Sequence, residues 1–251
     1  MSKQSGLGDQ LLVSGYVLGG DVQALGNISG GNSPLNVTGI TKSAHERIGG
    51  RRDGAIEYTT FFNPAPDQAH ERLSALPTGD QLVTYLRGEG IGRPAACLNS
   101  RQIGYDGSRA DDGALTFSVS AQANGYGLEW CTQLTDGIRT DAAATAGTSV
   151  DLGTGSTAHG LQAYLHVVSF TGTDVTITIE ESSDDAAADA WAPVTGGAFM
   201  AVDEGPTWER LETARDQTVE RYLRVTTSTT GGFTDLQFCV LVARNDVETR
   251  F

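Results

Sequence analysis

The chain has 251 residues and a mass of 26.4 kDa, which suits one large domain or two ordinary ones. Its 31 acidic residues against 17 basic ones give a formal net charge of −14, which argues against a protein that grips the phosphates of nucleic acid. No apolar run approaches the roughly 18 residues of a membrane span, no secretory segment is expected at the polar start, and the three cysteines indicate free thiols rather than a disulfide framework.

The acidic charge is spread unevenly along the chain. Residues 1–140 hold 11 basic and 14 acidic side chains, whereas residues 141–251 hold 6 and 17. Between these compositions lies a small, polar stretch, 141–156, without an apolar period, which is typical of a linker. The sequence therefore predicts a first domain at 1–140, a linker at 141–156 and a second domain at 157–251.

Most apolar residues of the first domain follow a period of two. In residues 113–122, apolar and polar side chains alternate, which is typical of a half-buried strand. The apolar set is Leu115, Phe117, Val119 and Ala121, and the polar set is Thr116, Ser118, Ser120 and Gln122. Similar patterns predict further strands at 11–18, 35–40, 55–62, 81–87 and 95–103. Turns are predicted at 19–21, 30–32, 53–54, 88–92 and 106–107.

One short helix is predicted in this domain. Asn63 or Asp67 would cap it, and Pro77 would stop it. Its apolar positions, at the spacing of one helix face, are Ala69, Leu73 and Leu76. A single helix beside many strands predicts an all-β sandwich or barrel with the helix packed on one side.

The second domain has longer strands that are rich in β-branched residues. They are predicted at 161–170, 174–180, 219–227 and 236–243, with two weaker strands near Phe199 and Trp208. Five or six short strands with turns between them indicate a small antiparallel β-sandwich.

The usual signatures of catalysis and of bound groups are missing from the sequence. It has no phosphate-binding loop, zinc motif or nucleophile elbow, so we expect no enzyme, no cofactor and no metal site. The acidic stretches 106–113 and 180–189 leave calcium open, but solvated turns are the simpler interpretation because the ligand spacing is absent. Trp130, Trp191 and Trp208 could stack on a sugar, although core packing is the commoner use.

Residues 41–54 form the one basic stretch of this acidic chain. It holds Lys42, Arg47, Arg51 and Arg52, and its paired glycines predict a long flexible or extended loop. Two interpretations remain open. The loop is either simply solvated, or it is a contact arm that docks on an acidic surface of a neighbouring copy.

Several segments together resemble the major tail proteins of long-tailed bacteriophages, particularly those of actinobacterial hosts. In the first domain they are LLVSGYVLGGDVQALGNISGG, LNVTGITKSAHERIGGRRDGAIEYTTFFNP and HERLSALPTGDQLVTYLRG. In the second, STAHGLQAYLHVVSFTGTDVTITIEESSDDAAADAWAPVT and VERYLRV look like the extra C-terminal domain that many of these proteins carry. The similarity covers nearly the whole chain.

The resemblance implies a structural virion protein, the tail-tube subunit. Residues 1–140 would be the tube domain, a β-sandwich with a flanking helix, and hexameric rings of it would stack into a hollow tube for the passage of DNA. Residues 1–10 and the basic loop would bridge rings, and the candidate contacts are Lys42, Arg47, Arg51 and Arg52. Other tail proteins would join the tube ends. Residues 157–251 would stand outward as a decoration, and assembly would take place in the host cytoplasm without a membrane.

Within such a tube, a polar sheet face would line the bore. The candidates are Thr116, Ser118, Ser120 and Gln122, and we expect the bore to be neutral or acidic so that DNA slides without specific binding. The alternative is a virion decoration or adhesin module that binds host-surface carbohydrate through the C-terminal sandwich. That alternative predicts Trp191 or Trp208 exposed beside polar groups.

Overall fold

The structure, a computed structural model, describes residues 5–153 and 155–248. Within them lie sixteen strands and one short helix, and the expected all-β sandwich fold is confirmed. The strands are β1 (Gln10–Val13), β2 (Tyr16–Val17), β3 (Val22–Asn36), β4 (Arg47–Phe61), β5 (Gln81–Leu86), β6 (Pro94–Arg109), β7 (Leu115–Ala123), β8 (Glu129–Gln133), β9 (Arg139–Asp141), β10 (Val150–Asp151), β11 (Leu161–Gly172), β12 (Thr176–Ser182), β13 (Ala192–Ala198), β14 (Thr207–Glu212), β15 (Tyr222–Ser228) and β16 (Phe233–Arg244), and the helix is α1 (Ala69–Leu73).

The chain forms two compact units. The described residues of unit 1 are 5–20, 84–97, 130–153 and 155–248, and those of unit 2 are 21–83 and 98–129. Of the four dividing points within the described residues, three fall inside β5, β6 and β8, and the fourth lies between Gly20 and Asp21. The predicted segment 141–156 contains strand β10, which pairs with β15, and Ala146 forms a bridge with Thr226. The division into a tube domain, a linker and a decoration domain stays a prediction.

Unit 1 contains an antiparallel β-sandwich. One sheet has the strand order β10-β15-β12-β13, and the other includes β14-β11-β16. Alternation puts Ile177 and Ile179 of β12 into the same buried cluster as Val167 of β11 and Val240 of β16. Such fully buried aliphatic side chains each stabilise the fold by about 1.5–3 kcal/mol relative to exposure. From β16 the second sheet continues through β8, β6, β5 and β1 to β2.

Unit 2 contains α1, the first three residues of β5 and four antiparallel strands, of which β6 also belongs to the strand order given above. β3 pairs with β4, β4 with β7, and β7 with β6. Ile56 and Tyr58 of β4 lie opposite Ala121 and Val119 of β7, and all four side chains are buried. The intervening side chains face the other way, because successive residues of a strand point to opposite faces.

The N-cap of helix α1 lies one residue after Asp67 and five residues after Asn63, so neither predicted cap is the N-cap. Its N-cap is Gln68, whose side chain makes no capping hydrogen bond. Asp21 takes that role from outside the helix, since its Oδ2 accepts the Ala69 N–H at 3.0 Å and its Oδ1 accepts the Asn63 amide at 2.8 Å. The helix ends at Leu73, so Leu76, expected on its apolar face, lies beyond it and is exposed.

Several predicted boundaries in the first 110 residues were wrong. The strand expected at 11–18 is the hairpin β1–β2, bent at Ser14-Gly15, where both residues have positive φ. The strand expected at 35–40 ends at Asn36. The turns expected at 30–32, 53–54 and 106–107 lie inside β3, β4 and β6, and the loop expected at 41–54 is strand from Arg47 onward.

Candidate assembly surfaces

The predicted bore residues occupy one face of the unit 2 sheet. Thr116, Ser118, Ser120 and Gln122 alternate with the buried Val119 and Ala121, and Ser118 and Gln122 are exposed. Each of these residues lies in a row with the residues of β4 and β6 directly opposite it. Directly opposed residues of neighbouring strands point to the same face of the sheet. From β4 these are Phe61, Thr59, Glu57 and Ala55, and from β6 they are Ser108, Asp106, Gly104 and Arg101.

These rows carry little positive charge. Arg101 is their one cation, and its Nε lies 2.7 Å from Asp80 Oδ1. Burial alone would raise the pKa of Asp80, but hydrogen bonds from Asn124 and Asn99 and the Arg101 guanidinium lower it, so the carboxylate stays charged and paired. Glu57 and Asp106 add two carboxylates to the same face. The face is therefore acidic on balance.

The outer halves of β3 and β4 form a projecting ribbon, which we call the arm and define as residues 30–54. β7 pairs with β4 only from Ala55 onward, so in the described register the arm strands pair with each other alone. The pairs run from Gly30 opposite Gly54 to Asn36 opposite Arg47. At about 3.3 Å per residue, the arm extends roughly 23 Å past the end of β7 before the connecting segment 37–46.

The arm exposes apolar side chains near its tip. Leu35 and Ile48 are opposed in register and about half exposed. Val37 is also half exposed, and Ile40 in the connecting segment is fully exposed. Contiguous exposed apolar surface on a soluble protein marks an interaction site more often than isolated residues do. The alternation of residues 35–40 predicted a strand but not the exposure of Leu35, Val37 and Ile40, and Ile48 stands within the basic stretch 41–54.

The four candidate contact cations have different surroundings. Lys42 Nζ lies 3.0 Å from Glu46 Oε1, an exposed pair within the connecting segment. Arg52 turns inward, where Nη1 lies 3.3 Å from Oε1 of the buried Glu129 and Nη2 donates to the Leu128 carbonyl at 3.4 Å. Arg47 and Arg51 are exposed, and neither forms an ion pair within the described residues. Arg52 thus supports the arm's base, whereas Arg47 and Arg51 face solvent.

Strand β3 is an open edge without protection by charge. Its fifteen residues, Val22–Asn36, include no acidic or basic side chain, and among the described strands it pairs with β4 alone. Edge strands are usually blocked by charges, proline or bulges. β3 has one proline, and its register with β4 is irregular. Because the strand is long and exposed, backbone N–H and C=O groups on its outer side are still available to pair with another strand. The edge strand β14 of unit 1 differs, since three of its six residues are Glu209, Arg210 and Glu212.

The tryptophans offer no open stacking platform in the C-terminal sandwich. Trp191 is half-buried, and the guanidinium carbon of Arg224 lies 4.5 Å from its ring centroid. Trp208 is half-buried opposite His166. Trp130 is the exposed one, at 60 %. In residues 5–153 and 155–248, no helix has the length and apolar character to cross a membrane, and no three His, Cys, Asp or Glu side chains cluster as metal ligands would.

No protein-family model and no curated protein matches this chain. Three solved structures from viral or gene-transfer particles are similar to it. In the virion of a native gene transfer agent, one chain is 17 % identical at a TM-score of 0.40, over 51 % of this chain and 98 % of that one. The Dit protein of phage SPP1 is 11 % identical at 0.31, over 93 % and 98 %, and a chain of the phage p2 baseplate is 8 % identical at 0.34, over 95 % and 99 %. TM-scores below 0.5 establish no relationship, so these similarities carry no assignment.

Proposed function

We propose that this protein is a structural subunit of a bacteriophage tail tube, assembled from identical copies into hexameric rings that stack around a channel. The observation that carries the proposal is the sheet of unit 2, which ends in the long, uncharged, exposed edge β3 and bears an arm with an apolar tip. A second copy can add its strands to such an edge and cover such a tip. Stacking with a repeated, non-closing contact then gives a filament.

The other border of this sheet is also incomplete. Arg87 N–H donates to the Pro94 carbonyl, so antiparallel pairing sets Gln81, the first residue of β5, opposite Ser100 of β6. Beyond Ser100, the described register of β6 is with β7 alone. Two open borders on one sheet allow each copy to be completed by a neighbour on either side, which supports ring closure.

The polar face of this sheet is suited to a wet bore. The rows that hold Thr116, Ser118, Ser120 and Gln122 carry one cation, and that cation is paired with Asp80. Each unpaired cationic side chain that contacts a DNA phosphate would add salt-dependent affinity for DNA. A face without free cations lets DNA move along it, in keeping with a channel for the genome. In this proposal the protein resides in the virion tail and contacts other tail proteins at the tube ends.

The remaining parts of the proposal concern the second domain and the N-terminus. The sandwich of unit 1 would stand outward. The charged side chains of its edge strand β14 disfavour pairing with a strand of another copy. Residues 1–10 would help to bridge rings, although 1–4 lie outside the described residues. The carbohydrate-binding alternative has less support, because Arg224 already covers one side of the Trp191 ring.

Electron microscopy and sedimentation of the full chain test the proposal. We expect rings or tubes for the wild type, and at least a tenfold higher concentration for assembly in the variant Leu35→Ser/Ile48→Ser, because the tip loses apolar contact area. Met200→Ser removes an even more exposed apolar side chain from unit 1 and serves as the control. A wild-type protein that stays monomeric at high concentration would refute the proposal.

A further inference from the structure

The arm carries more positive charge than it neutralises internally. Residues 30–54 hold four basic side chains against two acidic ones, Glu46 and Asp53. Lys42 is paired with Glu46 and Arg52 with Glu129, which leaves Arg47 and Arg51 exposed. A ribbon that projects from an acidic chain with two solvent-facing guanidinium groups calls for an acidic partner surface.

An acidic surface lies at the opposite end of the same sheet. The turn that joins β6 to β7 and the strand residues before it hold Asp106, Asp111 and Asp112 against the single Arg109. All four residues are exposed, and no ion pair involves them within the described residues. The turn is locally defined, because the Ala114 N–H donates to Asp112 Oδ1 at 2.9 Å and the Gly113 N–H donates to the Ala110 carbonyl.

The register of β4 and β7 shows that the basic arm and the acidic β6–β7 turn lie far apart within one copy. Ala55 lies opposite Gln122 at the arm end, and Phe61 lies opposite Thr116 at the end near the acidic turn. These six residue steps span about 20 Å at the usual rise of a strand. Arg47 and Arg51 lie still farther out, beyond Ala55. The arm of one chain therefore cannot reach its own acidic turn.

When a second copy is placed head to tail, the basic arm of one copy lies next to the acidic turn of the other. We infer that Arg47 and Arg51 of one copy pair with Asp111 and Asp112 of the next copy along the strand direction. The inference rests on the proposed function and adds the receptor surface for the arm. Arg47 and Arg51 are four strand residues, or about 13 Å, apart, so an acidic turn of the next copy that lies beside residues 48–50 is placed between them.

These ion pairs set orientation more than affinity. Exposed ion pairs contribute little stabilisation each, and salt screens them over about 8–10 Å. Complementary charges at the two ends of a sheet favour the head-to-tail order, because head-to-head and tail-to-tail contacts would oppose like charges. The apolar side chains at the arm tip supply the contact area that charge alone does not.

Charge reversal in the full chain tests the pairing. One variant is Arg47→Glu/Arg51→Glu, a second is Asp111→Lys/Asp112→Lys, and a third combines all four substitutions. We expect either double variant to shorten tubes at least tenfold by electron microscopy, and the combined variant to recover wild-type length. Asp203→Lys/Glu204→Lys, a pair of exposed carboxylates in unit 1, is the matched control and should assemble normally. Circular dichroism and thermal melting check that each variant is folded.

The outcomes separate this inference from the proposed function. Tubes of unchanged length in both double variants would overturn the pairing and leave the tail-tube proposal standing. Folded double variants that fail to elongate, with no recovery in the combined chain, would also overturn it. If the wild type forms neither rings nor tubes, the proposed function itself fails, and the inference fails with it. Recovery in the combined chain supports the pairing.

Discussion

His166 shows how one buried side chain fixes a local structure in unit 1. Its ring is fully buried, the Gly15 N–H donates to Nδ1 at 3.1 Å, and Nε2 lies 2.8 Å from Thr84 Oγ1. Because Nδ1 accepts, the ring proton is assigned to Nε2, which donates to Thr84. The imidazole thus ties the β1–β2 turn and β5 to β11.

This arrangement makes the free energy of unfolding depend on pH. Burial lowers the pKa of His166 from 6.5 to about 3. Above 6.5 the side chain is neutral in both states, whereas between 6.5 and 3 only the unfolded chain takes up the proton. Stability from this group is therefore complete above pH 6.5 and falls on acidification, by up to about 1.4 kcal/mol per pH unit.

Chemical denaturation between pH 7.5 and 4 checks this prediction. His166→Gln should be less stable than the wild type at pH 7.5, and its unfolding free energy should fall less steeply on acidification. The control His45→Gln changes an exposed histidine in the connecting segment of the arm and should keep the wild-type slope. Parallel curves for wild type and His166→Gln would contradict the role given to this side chain.

The alternation of side chains along β7 could be predicted from the sequence, whereas the arm could not. The polar and apolar sets of β7 were assigned correctly from the sequence, because one face packs on a core and the other does not. The arm strands have no such signal. Gly30-Gly31 and Asp53-Gly54 suggest turns locally, yet they are opposed in register as a strand pair. Their pairing depends on a partner some twenty residues away, which a local period does not reveal.

The same limit explains the candidate site. Four basic residues could be found from composition, but their individual roles depend on what the fold places beside them. Arg51 and Arg52 are neighbours in the sequence. Arg52 contacts Glu129, which lies 77 positions farther along the chain, while Arg51 stays exposed. The exposed tip could be recognised only once Leu35 and Ile48 were known to be opposed on an unsupported ribbon.

The base of the arm requires glycine at position 54. A Cβ there would lie 2.7 Å from both the Cβ and the backbone nitrogen of Leu128, and 3.1 Å from Leu98 Cδ1. Gly54→Ala should therefore push β4 away from residue 128 and lower the free energy of unfolding by about 1–3 kcal/mol, as overpacking does. Gly39→Ala, in the connecting segment, meets no atom within 4 Å and should be nearly neutral. Urea unfolding compares the two, and equal stabilities would refute the packing argument.

The two units should respond differently to assembly. The arm is a two-stranded ribbon exposed on both sides, so it opens locally more readily than a strand inside a core. Trypsin should therefore cut unassembled protein at Arg47 and Arg51. In assembled material the arm lies against a neighbour, and cleavage there should slow at least tenfold.

Arg215, about half exposed in unit 1, should be cut at similar rates in both fractions. Mass spectrometry of timed digests identifies each site. Equal cleavage of the arm in both fractions would place it outside the assembly contact, and selective protection of Arg215 would place the contact on the sandwich.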